Sequence, residues 1–220
     1  HGVYFVSKGK IFRWHENKMS VIRIPNRNSY PTLFKDRIYL VDNGGLSIIS
    51  DGARKDIPET ALPMEIYGRK LRLFPWIEPD RLLLYSGKIG LLLFSPDSLE
   101  TREGQLHPLP FSNQANDWAI EGSLYTAVPL SDNRIALGTW RRGMVVMSKK
   151  GEIENIISQE RGLPTNTITK VYKDSSENLW IGTVAGISHA ITSSPVTYFG
   201  ANRGLSEPPY MSVTRHDGKI

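Results

Sequence analysis

Short apolar runs separated by polar turns recur along the whole chain. The runs are four to six residues long, rich in Ile, Val, Leu and Tyr, and bounded by Asp, Asn, Gly and Pro. An amphipathic helix would need ten or more residues with a 3.6-residue period, so runs of this length and composition predict β-strands. Turns such as Asn43-Gly44 and Asp217-Gly218 supply residues that tolerate positive φ. The pattern predicts an all-β protein.

A strand, a short glycine turn and a second strand recur as one unit. The glycines of this turn are Gly45, Gly90, Gly143 and Gly186, and they are separated by 45, 53 and 43 residues. Periods of about 40 to 50 residues with several short strands each are typical of β-propeller blades. The sequence therefore predicts a β-propeller fragment of about five blades, each with four antiparallel strands.

The repeats also predict blade boundaries. We expect a partial blade at 1–30, blades at about 31–62, 63–113, 118–160 and 165–202, and the start of a further blade at 207–220. The partial blades either complete each other in a five-bladed ring or continue into a larger propeller. Because both ends of the sequence fall in strand-like runs, we expect the chain to be part of a longer protein.

The last complete blade has the clearest pattern. Its strands are expected at 167–172, 178–183, 186–191 and near 196–199, with a turn at 174–177. The glycine of the second strand, here Gly182, lets neighbouring sheets approach closely because it has no side chain. Trp180, on the same strand, is expected to be buried between adjacent blades.

Composition narrows the classes of function. Cysteine is absent, which excludes disulfides, thiolate metal sites and a cysteine nucleophile. The net charge is +5, but the basic residues are scattered, so we expect no nucleic acid partner. No apolar stretch approaches the ~20 residues that span a bilayer. Membrane contact is therefore expected only through segments outside this chain.

The titratable residues show no catalytic or metal-binding pattern. No two of the five histidines stand at metal-ligand spacing. The segment 174–178 lacks the alternating acidic ligands of a calcium loop, and a hairpin turn explains it better. Neither a Gly-x-Ser-x-Gly elbow nor a phosphate-binding glycine loop is present. We therefore expect no catalytic residue, no metal and no cofactor in this fragment.

One segment carries a specific motif. Residues 161–168 read Arg-Gly-Leu-Pro-Thr-Asn-Thr-Ile, and residues 174–183 read Asp-Ser-Ser-Glu-Asn-Leu-Trp-Ile-Gly-Thr. This segment resembles the two-component regulator propeller repeat, with its Gly-Leu-Pro-x-Asn lead-in, Asp-rich turn and Asn-Leu-Trp-Ile-Gly-Thr strand. The resemblance is strong over 161–190, partial over 203–220 and weaker at 132–147, so it covers about half of the chain.

The resemblance implies a function. Such repeats form extracytoplasmic sensor regions of bacterial receptors, commonly hybrid histidine kinases and sometimes diguanylate cyclases. These sensors often have seven blades and act as dimers, so the resemblance implies a larger, seven-bladed propeller and a homodimer. It also implies ligand sensing in the periplasm, with any kinase or cyclase activity in other parts of the parent receptor.

Two departures from the repeat are candidates for ligand binding. The turn after Thr139 is one residue longer than the turn after Thr183 and contains an aromatic and two basic residues. A Trp ring can stack on a sugar, and an Arg guanidinium can bind carboxylate or sulfate with two hydrogen bonds. The long interval before the same blade adds an Asp and a Trp. The candidate ligand-binding residues are Trp140, Arg141, Arg142, Trp118 and Asp117.

Simpler interpretations remain open for these residues. Trp76 and Trp118 would then fill gaps between blades, and Arg141 and Arg142 would form surface ion pairs. The leading hypothesis is a non-enzymatic sensor that binds a small molecule or an oligosaccharide, an acidic one if the arginines take part. The alternatives are a protein-interaction or dimerisation scaffold and a propeller polysaccharide lyase or glycosidase, because propellers host all three functions.

Overall fold

The structure is a computed structural model. It describes residues 3–7, 9–24, 30–35, 37–42, 45–50, 53–57, 70–96, 107–108 and 113–191. These residues form strands β1 to β18, the helix α1 (Asn113–Gly122) and a 3-10 helix (Gln159–Arg161). Within them, no helix has the length and apolar character needed to cross a membrane.

Five antiparallel sheets of consecutive strands follow one another along the chain. The first contains β1 (Val3–Ser7), β2 (Lys10–His15) and β3 (Lys18–Arg23). The second contains β4 (Tyr30–Phe34), β5 (Arg37–Asp42), β6 (Gly45–Ser50) and β7 (Ala53–Asp56). The third contains β8 (Leu71–Pro75), β9 (Leu82–Ser86), β10 (Gly90–Phe94) and β11 (His107–Pro108). The fourth contains β12 (Leu124–Pro129), β13 (Arg134–Thr139), β14 (Met144–Ser148) and β15 (Ile153–Ile157). The fifth contains β16 (Ile168–Lys173), β17 (Leu179–Thr183) and β18 (Gly186–Ala190).

This architecture confirms the all-β propeller fold. The seven-bladed ring and the blade boundaries stay predictions. In the last blade, the three described strands agree with the expected ones to within one residue at each end. The strand expected near 196–199 lies outside the described residues.

The hydrophobic cores lie between successive sheets. One cluster of buried side chains joins the first sheet to the second, and a further cluster joins each following pair of sheets. The strand β9 shows how this is achieved. Its Leu82 and Leu84 pack against the second sheet, whereas Leu83 and Tyr85 pack against the fourth. Strands that are buried on both faces read as continuous apolar runs, as this sequence does.

The strands β4, β8, β12 and β16 are neighbours across the sheets and surround the propeller axis. Gly138 on β13 shows how closely the blades approach there. A Cβ atom at this position would lie 2.7 Å from Thr126 Cγ2 and 2.8 Å from Ile168 Cγ2 on β16. Gly138 holds the position that Gly182 holds in the next blade, and its contacts confirm the reason expected for a glycine there.

Trp180 lies on the face of β17 that points away from the fourth sheet. On β17, Leu179 and Ile181 face the fourth sheet, and Trp180 points to the opposite side, where it is 45% exposed. Its indole N–H donates to Asp174 Oδ2 at 3.1 Å, and its ring stacks on His189 with centroids 4.4 Å apart. Residues 192–220 lie outside the described residues, so the expectation that Trp180 is buried between adjacent blades stays a prediction.

The Asp-rich segment forms the expected hairpin turn. Asp174 Oδ1 accepts the backbone N–H groups of Ser176 and Asn178, each at 2.9 Å. Glu177 then reaches the preceding blade, because its Oε2 accepts the Ser131 N–H at 3.0 Å and its Oε1 pairs with Lys173 Nζ. These donors lower the pKa of Glu177 to about 2, with Lys173 as the largest cause.

We predict that Gly138→Ala destabilises the protein by about 1–3 kcal/mol, because the new methyl group overlaps side chains of two strands. The matched control is Gly182→Ala, whose Cβ would meet nothing closer than Thr169 Oγ1 at 3.3 Å. Chemical denaturation measures both free energies of unfolding. Equal losses of unfolding free energy in the two variants would show that the close contacts at Gly138 do not cause the destabilisation.

We also predict that the Glu177 contacts stabilise the fold in a pH-dependent way. The pKa of Glu177 is lowered from 4.5 to about 2 in the folded chain, so its stabilisation is present above 4.5 and disappears as the pH falls toward 2. Glu177→Gln should therefore unfold at lower denaturant concentration than the parent at neutral pH, and this difference should shrink in acid. The exposed Glu152→Gln should show no such trend. A difference that persists at low pH would contradict the prediction.

Candidate functional site

The turn between β13 and β14 lies beside the loop that leads into the fourth sheet. The Trp140 N–H donates to Ser123 O and the Arg141 N–H donates to Gly122 O, both at 3.1 Å. These two hydrogen bonds confirm that the turn and the loop occupy the same face of the propeller.

Two residues determine the conformation of this turn. Thr139 Oγ1 donates to Gly143 O at 2.8 Å and accepts the Arg142 N–H at 2.9 Å. Gly143 has φ +77°, and a Cβ atom there would lie 2.4 Å from Ile157 O. Only glycine fits this backbone, and the resulting turn leaves Trp140 and Arg141 exposed.

The long interval before the fourth sheet contains α1, a helix that the sequence reasoning did not identify. Ala115, Trp118 and Ala119 are buried in the core between the third and fourth sheets. Asn116 Oδ1 accepts the Leu91 N–H at 3.0 Å, which joins the helix to β10. The helix thus fills the space where these two sheets diverge.

Two of the candidate residues join α1 to the turn. Trp118 is only 8% exposed, and the Arg142 guanidinium carbon lies 4.5 Å from the centroid of its ring. Arg142 also forms an ion pair with Glu121 of the same helix. These contacts favour a gap-filling role for Trp118 and an ion-pairing role for Arg142. Asp117 lies on the exposed side of α1, and Trp76 is buried in the same core.

A cluster of three aromatic rings and one arginine lies at the start of the innermost strands. The Arg72 guanidinium carbon is 3.7 Å from the centroid of the Tyr30 ring and 4.1 Å from that of Tyr125. The Tyr125 ring in turn contacts Trp140, with centroids 5.2 Å apart. We call Tyr30, Arg72, Tyr125 and Trp140 the mouth cluster. Sequence reasoning found only Trp140.

A bulge places Tyr125 in this cluster. The β12–β13 pairing passes from Leu124 opposite Thr139 to Thr126 opposite Gly138, so that Tyr125 has no partner in the ladder. An unpaired residue of this kind bends its strand and redirects its side chain. Tyr125 therefore contacts Arg72 of the third sheet and Trp140 of its own sheet at once.

The buried Tyr85 hydroxyl lies near both Arg72 and Arg141. Burial raises the pKa of Tyr85, whereas hydrogen bonds to Leu124 and Ser123 and the charges of the two arginines oppose this rise. Arg141 follows Trp140 of the mouth cluster directly in the turn. Of the five candidates, Trp140 and Arg141 are at this site, and the other three belong to α1 or its contact with the turn.

A cavity of about 460 Å³ extends along the axis from the mouth cluster. Its walls are formed by β4, β8, β12 and β16, and they are mostly apolar, with Leu73, Phe74 and Val128 among them. The charged side chains of the lining are Arg72 and Lys170, and the described lining contains no carboxylate. In the described part of the chain, no group of three or more His, Asp or Glu side chains could hold a metal ion.

The sequence profile described as "Two component regulator propeller" matches residues 162–185. The match confirms the resemblance seen in the sequence. No curated protein sequence matches the chain.

Solved structures show the same fold. The extracellular domain of the putative one-component system BT4673 from B. thetaiotaomicron is 20% identical, with a TM-score of 0.61 over 87% of this chain and 26% of that one. The extracellular domain of the putative hybrid two-component system BT3049 from the same organism is 14% identical, with a TM-score of 0.62 over 93% and 28%. Streptogramin B lyase is 13% identical, with a TM-score of 0.55 over 82% and 57%. The chain thus spans about a quarter of the first two, and at these identities the similarity shows the fold alone.

The two-component regulator propeller repeat contributes directly to the cavity. Its first strand, β16, carries the lining residues Thr169 and Lys170. The β16–β17 pairing shifts between Ile168 and Lys170, at the place that corresponds to the bulge of Tyr125. The matched segment therefore forms part of the cavity wall. The side chain at the bulge is Thr169 in this blade and Tyr125 in the preceding blade.

We predict that the two tryptophans near the turn differ in their effect on stability. Trp118→Ala should cost about 3–5 kcal/mol, because it leaves a cavity in the core between two sheets. Trp140 is 43% exposed, so Trp140→Ala should cost about 1 kcal/mol or less. Chemical denaturation separates the two cases. Similar losses would show that Trp140 is also a packing residue.

Proposed function

We propose that this chain is part of the extracytoplasmic sensor propeller of a bacterial two-component receptor, where it binds a small molecule or an oligosaccharide. The location would be the periplasm. The two-component regulator propeller repeat at 162–185 supports this assignment. The extracellular domains of two B. thetaiotaomicron signalling systems, which share the fold, also support it. The observation that carries the binding proposal is the mouth cluster above the axial cavity.

The mouth cluster has the chemistry of a sugar-binding surface. Tyr30 is 38% exposed and Trp140 is 43% exposed, and the mouth cluster joins them in one patch, which is the arrangement that marks a contact surface, unlike scattered single rings. Flat aromatic rings with a polar edge can stack on the C–H faces of a sugar while they keep a hydrogen bond to water. Arg72 adds donors for hydroxyl or acidic groups between the rings.

Binding at this place can be transmitted through the blades. Tyr30, Arg72 and Tyr125 belong to three successive sheets, so a ligand that contacts all three joins those sheets. Such a ligand shifts the packing of the blades only by its different affinity for two arrangements. The signal would then reach the parts of the receptor outside this chain.

The described lining favours binding over glycoside hydrolysis. Most glycosidases use a pair of carboxylates, one as the acid and one as the base or nucleophile. No carboxylate occurs among the described residues that line the cavity. His15 and His189 lie on β2 and β18, away from the axis.

A thermal-shift screen of neutral and acidic oligosaccharides, followed by calorimetry, tests this proposal. For any oligosaccharide that binds, Trp140→Ala and Tyr125→Ala should each weaken the affinity by about two- to tenfold, because a ring contact contributes about 0.5–1.5 kcal/mol. The matched control is Trp14→Ala, since Trp14 is 41% exposed on the first sheet. Equal affinity in all three variants would place the binding site elsewhere.

A further inference from the structure

The two cations of the axial cavity have no acidic partner among the described residues. Arg72 contacts the rings of Tyr30 and Tyr125, but its guanidinium makes neither a hydrogen bond nor an ion pair with any of them. The side chain of Lys170 likewise pairs with no described carboxylate, and it is exposed. The N–H donors of both groups are therefore available to a ligand in the cavity.

Several basic side chains outside the cavity are paired with carboxylates. Arg54 pairs with Asp56 at 2.7 Å and Arg134 with Asp132 at 2.7 Å. Arg142, Lys149 and Lys173 also pair with carboxylates. In the cavity, by contrast, both cations stand beside a described lining that contains no carboxylate.

The ring contacts fix the position of the Arg72 guanidinium and leave its N–H donors free to bind an anion. Two rings from neighbouring blades contact the guanidinium, and cation–π contacts of this kind position the group without using its N–H donors. The apolar walls lower the local dielectric constant, which strengthens the attraction between a bound anion and the two cations. Arg141, on the adjacent turn, adds a third positive charge near the cluster.

We infer that the cavity binds an anionic oxygen group, held by Arg72 and Lys170, and that the ligand is therefore an acidic sugar bearing a carboxylate or a sulfate ester. This inference rests on the proposed ligand-binding function of the mouth cluster. The guanidinium binds two oxygens of the group in parallel, and the ammonium of Lys170 acts as a second point charge. The exposed rings of Tyr30 and Trp140 then contact the sugar ring that carries the group.

The test compares sugars that differ only in charge. One pair is trigalacturonate and its fully methyl-esterified form, which presents carboxylate or a neutral ester on the same ring. The other pair is a sulfated galactose trisaccharide and its desulfated form. Calorimetry should show that the acidic member of at least one pair binds at least tenfold more tightly than the neutral member. The pair that shows the difference identifies carboxylate or sulfate as the recognised group.

Substitutions of Arg72 and Lys170 test which side chains bind the acidic group. Arg72→Gln and Lys170→Gln should each weaken binding of the acidic sugar about tenfold, and raised salt should weaken binding to the parent protein. Lys170 is exposed, so its variant keeps the test valid if Arg72→Gln disturbs the cluster. Lys150→Gln is the matched control, because Lys150 is an exposed cation at the opposite end of the fourth sheet.

The outcomes separate this inference from the proposed function. If acidic and neutral sugars bind equally and Trp140→Ala weakens both, the ligand site stands and the anion site is overturned. If the acidic sugar binds but neither cation variant differs from Lys150→Gln, the anion site is also overturned. If no member of either pair binds, the inferred ligand class is wrong, and the wider screen with Trp140→Ala alone decides the proposed function.

Discussion

The central strands β5, β9 and β13 of this propeller are buried on two faces, and a strand of that kind needs a neighbouring sheet on either side. The alternate side chains of β9, such as Leu83 and Leu84, belong to different cores. A blade therefore has little stability by itself, and its position is determined by the blades that flank it. The side chains around the axis take their positions from these cores, because each innermost strand pairs along its length with a central strand.

The same packing explains why the mouth cluster forms. Close approach at Gly138 brings β12 and β16 together, and the bulge at Tyr125 turns one ring toward the neighbouring blade. An arginine from the third sheet then lies against tyrosines from the second and fourth. Rings that pack on a cation keep their outer surfaces in solvent, so the cluster is both ordered and accessible. Three of its four side chains are held by contacts between blades, and Trp140 is added by the turn between β13 and β14.

Local patterns in the sequence were sufficient to predict the strands, the repeat and the Asp174 hairpin, because each depends on residues a few positions apart. They were not sufficient for Arg72 and Tyr30, whose contact depends on the distance between two blades. The helix α1 was missed although Ala115, Trp118 and Ala119 follow helical spacing, because a single inserted helix contradicts the strand period around it. The motif specifies the strand of Trp180, but whether a blade covers its ring depends on residues outside those that the structure describes.

The mouth cluster has a consequence for how a propeller of this kind evolves. Its members come from three different repeats, so duplication of one blade copies the scaffold but cannot copy the cluster. Each of Tyr30, Arg72 and Tyr125 must arise by separate substitution on a strand whose other residues maintain the fold. The chemistry of the mouth can therefore change through a few inner-strand positions, while the repeat motif at 162–185 remains recognisable.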